Sequence, residues 1–301
     1  MKFGSVFSNL PKDRRTLTSE PSYACQHNKK MTVNDAASVP NWLADVCSRL
    51  AENDVLLTNL NFNIRRFKTD TMADELASSL AKNSLIVTLN LTSSFQSVAG
   101  KSNFLDSLGR SLECHKSLQV LHLSYNRLPD VAAFGRTLAN NQILRVLHFD
   151  HNDIDSVSAV ALAQGLCLNS ALEELYLGSN RICDKGAMAL AESLLKNRTL
   201  HTLDLNRNKI GMDGALVLLD TIKTSMIVWH VVLEENNIVA RVREEAALFC
   251  SANRCGRKLL LDHSIPGGMW HLVLGKSSSQ VSVLYLLLLS KPDLCKRMPS
   301  G

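Results

Sequence analysis

Five segments decide the fold: LQVLHLSYNRL (118–128), LRVLHFDHNDI (144–154), LEELYLGSNRI (172–182), LHTLDLNRNKI (200–210) and VWHVVLEENNI (228–238). Each reads apolar-x-x-apolar-x-apolar-x-x-Asn-x-apolar. Their starts lie 26, 28, 28 and 28 residues apart. Weaker copies begin at Leu57 (LTNLNF) and Ile86 (IVTLNL). A fixed period of this length marks a stack of similar units.

Alternating apolar residues give each segment a short strand with one face inward. The stretches between them carry apolar or small residues at i, i+3, i+4 and i+7, the mark of a helix with one buried stripe. The stripes are Ala73/Leu76/Ala77/Leu80, Leu105/Leu108/Gly109/Leu112, Val131/Phe134/Gly135/Leu138, Ala159/Leu162/Ala163/Leu166, Ala187/Leu190/Ala191/Leu194 and Ala215/Leu218/Leu219/Ile222. Asp130, Asp155, Asp184 and Asp213 fall near the helix starts, where a carboxylate can cap free amides. Asn126, Asn152, Asn180, Asn208 and Asn236 stand where the chain leaves each strand. An amide side chain there can satisfy orphaned backbone groups in stacked turns, so this column reads as a structural ladder.

One repeat cannot bury its leucines alone, but stacking buries a continuous core. The expected fold is α/β: a curved solenoid, horseshoe-like, with a parallel sheet on the concave side and helices on the convex side. The segments resemble leucine-rich repeats, and the 28-residue helix-bearing form is similar to the ribonuclease-inhibitor-like subfamily. That group includes the repeat domains of NLR-type sensors and the GTPase-activating protein for Ran. The resemblance covers roughly residues 43–262 and is specific for fold, not for partner. It implies a protein-binding role, with a Ran-directed GTPase activator or a ribonuclease-inhibitor-like inhibitor as alternatives.

The repeats are not uniform. The Leu118 unit is two residues shorter between Asn126 and Val131 than its successors. The Ile86 unit carries four extra residues within TSSFQSVAGKSN (92–103), the best candidate for a protruding loop. The Ile86 and Leu57 units also lack the ladder Asn. Three parts are expected: a disordered segment over 1–37, the solenoid with an entry helix over 38–264, and a helical cap or tail over 265–301. The entry helix begins near Pro40 and carries Leu43, Val46, Cys47 and Leu50. GRKLLLDH (256–263) continues the register as a degenerate strand. The pattern IPGGMWHLVLGKSSSQVSVLYLLLLSKPDLC (265–295) resembles tails of leucine-rich-repeat proteins of diatoms and related algae, and adds no activity.

Composition agrees with a repeat protein. Of 301 residues, 50 are Leu and 23 are Asn, with a net charge of +5. That charge divides into +3 over 1–40, −3 over 41–240 and +5 over 241–301. The array is therefore slightly acidic between basic ends, which disfavours a nucleic-acid partner. The longest apolar run, 281–289, is nine residues, well short of the ~20 needed to span a bilayer, and residues 1–15 lack a secretory core. The eight cysteines form no CxxC pair and read as reduced, mostly core thiols. Two sequons, at Asn90 and Asn197, read as chance. Gly275-Lys276-Ser277 lacks the glycine a phosphate loop needs, having Trp270 there. No catalytic residue, cofactor or metal site is expected. The expectation is a cytoplasmic monomer that is not an enzyme and that binds protein, with neither nucleic acid nor membrane as partner.

The informative surface is the outward face of the strands. Its columns carry His122, His148, Tyr176 and Asp204; Glu174 and His230; Asp150 and Glu234; and Tyr125, His151, Arg207 and Glu235. The first half presents His and Tyr, and the second is acidic apart from Arg207. Exposed Tyr and Arg suit interface anchors. These twelve residues are the expected partner-binding set. A metal at His122, His148, Asp150 and His151 is the weaker reading beside solvated histidines.

Overall fold

A computed structural model describes residues 40–62, 67, 69–95, 101–225 and 227–254. The described residues belong to one compact unit, which begins after Ser38. Both end regions of the sequence reading, 1–37 and 265–301, lie outside the described residues, as do the strand at 256–263 and Gly275-Lys276-Ser277.

The chain enters through α1 (Asn41–Ala51) and then alternates strand and helix. The order is β1 (Asn59–Asn61), α2 (Asp70–Lys82), β2 (Thr88–Asn90), α3 (Lys101–Glu113), β3 (Val120–His122), α4 (Ala133–Asn140), β4 (Val146–His148), α5 (Ser156–Leu166), β5 (Glu174–Tyr176), α6 (Asp184–Lys196), β6 (Thr202–Asp204), α7 (Met212–Ser225), β7 (His230–Val232) and α8 (Ala240–Arg254). The seven strands form one parallel sheet in sequence order. Register is set by the repeat itself: Leu89, Leu121, Leu147, Leu175, Leu203 and Val231 pair in one continuous row. This is the leucine-rich-repeat solenoid expected from the sequence. Strands repeat about every 4.8 Å and packed helices need roughly 8–10 Å, so the stack bends with the sheet inside.

The core lies between the strand layer and the helix layer. The inward leucines and the helix stripes are almost wholly buried and form one cluster from Leu43 to Cys250. The entry helix α1 has no side-chain cap hydrogen bond. Pro40 is its N-cap, and Leu43, Cys47 and Leu50 are buried beneath it. At the other end α8 continues the stripe through Val242, Ala246 and Cys250.

Several readings change. Only Cys47 and Cys250 are core thiols among the five described cysteines. Cys114 is exposed, and Cys167 and Cys183 are half-buried. The stretch beginning at Thr92 does not simply protrude. Phe95 within it is fully buried, stacking on Phe67 at 4.7 Å and on Phe104 at 4.1 Å. Residues 96–100 lie outside the described set. The aspartates at the helix starts also differ in use. Asp155 caps its own helix through Ser158 N–H, whereas Asp184 accepts from Gly211 N–H and Gly214 N–H in the next repeat. No helix among the described residues is long and apolar enough to cross a membrane.

Candidate functional site

The Asn side chains at the strand exits bond backbone carbonyls of their own or the preceding repeat. Asn126 donates to Leu91 O and Leu123 O, and Asn152 donates to Leu123 O. Asn180 donates to Phe149 O and Leu177 O, Asn208 to Leu177 O and Leu205 O, and Asn236 to Leu205 O and Leu233 O. Their carbonyl oxygens accept backbone N–H groups of the preceding repeat. Each of these five turns is thereby tied to the one before it, beneath the sheet face.

On that base the twelve expected residues fall in rows. His122, His148, Tyr176 and Asp204 end strands β3 to β6 and are paired in register. Glu174 and His230 start β5 and β7. Asp150 and Glu234 lie two residues past their strands. Tyr125, His151, Arg207 and Glu235 occupy the following turn, all with φ between 49° and 62°. That left-handed turn swings the chain off the sheet toward the next helix.

Strand spacing brings rings onto rings. His122 stacks on His148 at 4.3 Å, and His148 on Tyr176 at 4.1 Å. Tyr125 stacks on His151 at 4.0 Å. Tyr176 Oη donates to Glu174 at 2.6 Å. The Asp150 carboxylate accepts from Ser124 Oγ at 3.2 Å and Gly178 N–H at 2.9 Å, and lies 3.5 Å from His148 Nδ1. Arg207 holds Glu235 through two bonds of 2.8 Å. Glu234 and His230 stand apart from these contacts, though both act on Asp204 through charge.

Electrostatics follow from this crowding. Burial, and then the neighbouring His148, lower the His122 pKa to about 4, with Asp150 opposing. Burial and the bond to Glu174 push the Tyr176 phenol well above its usual range. Asp204 is raised by burial and by the carboxylates of Asp150 and Glu234, against the Asn206 N–H and His230. The Arg207 bond holds Glu235 low. Stacked rings and crowded carboxylates leave the face polar, with most of its acids on or just after β5 to β7. No three His, Cys, Asp or Glu residues among those described are arranged to hold a metal ion.

Two features escaped the sequence reading. Along the strand starts, Arg145 bonds Glu173 at 3.0 Å, and Glu173 lies 3.7 Å from His201 Nε2. His201 in turn contacts the half-exposed Trp229 ring at 4.3 Å. The signal was their shared position directly after each strand-leading apolar residue.

The second feature is another Asn column at the helix ends: Asn83, Asn141, Asn169 and Asn197. Each donates to the end of the preceding helix and accepts from its own chain two and three residues on. All four stand three residues before a strand motif. Asn197 is 3% exposed, and its amide is committed to Leu166 O and Asn169 O, so that sequon has no free nitrogen.

A family model described as Leucine Rich repeat matches residues 140–163, 168–191 and 196–219. Among solved structures, the chain is similar to one titled leiomodin-1 actin-binding site 2, at 18% identity and a TM-score of 0.41, covering 73% of this chain and 94% of that one. It is also similar to a tropomodulin C-terminal domain of Caenorhabditis elegans, at 13% identity and a TM-score of 0.39, covering 72% and 96%. A search of curated proteins found no match.

Proposed function

We propose, starting from a leucine-rich-repeat array, that the chain is a non-enzymatic interaction scaffold holding a protein partner on its concave sheet face. The observation that carries this reading is the pre-set ring ladder. His122, His148 and Tyr176 stack across three strands, with Tyr125 and His151 beside them. Side chains already ordered in the free protein lose little freedom on binding, which favours affinity. Tyr125 remains 46% exposed and so can still anchor a partner. The acids of the expected set (Asp150, Glu174, Asp204, Glu234 and Glu235) outnumber its one Arg, Arg207, which favours a protein over a nucleic-acid backbone.

The test is combined replacement of Tyr125, Tyr176 and Arg207 by alanine in the full chain. Affinity capture from the native cell, read by mass spectrometry, compares the variant with the parent. The expected result is loss of the specific partner set with cooperative unfolding retained. An unchanged partner set in a folded variant overturns the concave-face assignment.

A further inference from the structure

The two Asn columns tie each repeat to the one before it, and both change residue at the same junction. In the turn column the β2–α3 repeat carries Ser94 instead of Asn. Its hydroxyl reaches Phe62 O of the β1–α2 repeat at 3.0 Å, which reproduces one donor bond of the missing amide. In the helix-end column the same repeat carries His115. Nδ1 accepts from Ser117 N–H and Leu118 N–H, as the Asn carbonyl does elsewhere. Nε2 is buried and has no hydrogen-bond partner. In the neighbouring repeats the corresponding amide donates back to the preceding helix: Asn83 to Leu50 O, and Asn141 to Leu112 O.

The helix-end tie is present on both sides of the junction. Below it, Asn83 joins α2 to α1, and Asn53 accepts from Ser84 N–H at 2.7 Å. Above it, Asn126 and Asn141 join the β3–α4 repeat to the β2–α3 repeat. At the junction, among the described residues, the Phe67–Phe95 stack at 4.7 Å and the bond from Phe67 N–H to Ser94 O at 2.8 Å join the repeats beside the β1–β2 pairing. Ser225 is the other substitution in the helix-end column, and its Oγ is likewise orphaned. There the turn column is intact through Asn208, so only one of the two ties is missing.

We propose that α1, β1 and α2 form a unit that opens from the rest of the array at the β1–β2 junction, exposing the β2 edge and the Phe95 side of the core. Subglobal opening of this kind occurs along contiguous units that are bound less tightly to their neighbours.

Hydrogen exchange on the full chain, read by mass spectrometry, tests it. Backbone amides of 41–62 and 70–83 are expected to exchange together, at least tenfold faster than those of 144–200. Ser94→Asn with His115→Asn is expected to slow exchange of 41–83 selectively. Phe95→Leu is expected to speed the same segments selectively. One protection level from α1 through α7 in the parent overturns the proposal, as does a Phe95→Leu effect spread evenly over the array.

Discussion

Asn180 makes five hydrogen bonds through one buried side chain. Its amide donates to Phe149 O, Leu177 O and Gly178 O, and its carbonyl accepts from Asn152 N–H and Ile154 N–H. Removing it strands backbone groups that water cannot reach. Asn180→Leu is therefore expected to cost about 3–5 kcal/mol, seen as a lower urea midpoint at unchanged slope. Ser225→Asn tests the converse, because its orphaned hydroxyl marks a place where an amide belongs. It is expected to add ~1 kcal/mol, and a loss of stability would refute that reading.

His122 predicts a pH dependence. Its folded pKa of about 4 lies below the usual 6.5, chiefly through burial. The unfolded chain thus takes up a proton that the folded chain refuses. Stability is full above about pH 6.5 and falls between 6.5 and 4, by roughly 2–3 kcal/mol for this group. His115, lowered by burial as well, acts in the same direction. His122→Gln should flatten the slope of thermal midpoint against pH in that window, and an unchanged slope would contradict the assignment.

At the scale of elements, helix spacing is set by residues without side chains. A Cβ on Gly135 would meet Ala161 O at 2.2 Å, and one on Gly165 would meet Gly135 O at 2.1 Å. The backbones of α4 and α5 touch there. Replacing a helical Gly by Ala ordinarily gains about 1 kcal/mol from propensity. Gly165→Ala is instead expected to destabilise by ~2–4 kcal/mol, as overpacking against backbone cannot relax cheaply. Thermal unfolding gives the sign directly, and a rise in midpoint would exclude the close approach.

Periodicity made Gly135 legible in the sequence, because it falls within a helix stripe. Gly165 lies off the stripe, and nothing in one repeat says which neighbouring backbone it meets. The strands and the Asn126 column were legible because alternation and the 28-residue period reinforce each other. The helix-end column was equally periodic, but it sits where a helix end needs no side chain to be drawn. Ring columns on the face were readable as neighbours. Which of them stack, and that Arg207 is claimed by Glu235, depends on rotamers that the period does not encode.

The whole described array is held by contacts between nearest repeats. Its cross-repeat hydrogen bonds join residues 26 to 31 apart where the units are regular, as at Asn152–Asn180, Arg145–Glu173 and Asn197–Leu166. In such an array stability is close to a sum of repeat terms and interface terms. A copy of residues 172–199 inserted after Thr199 would therefore meet familiar neighbours on both sides. Its Asn180 equivalent would face Asn180, and its Asn197 equivalent would face the carbonyls at Leu194 and Asn197. The added interface carries both ladders and a leucine row, so it exceeds the entropy of ordering one more repeat. The lengthened chain is expected to fold with one more parallel strand, a larger radius of gyration by small-angle scattering and a thermal midpoint several degrees higher. Insertion of 27 residues, lacking only the Leu175 equivalent, should fail, because a one-residue slip turns each inward leucine toward solvent. If both insertions behave alike, register between repeats is not what holds the array.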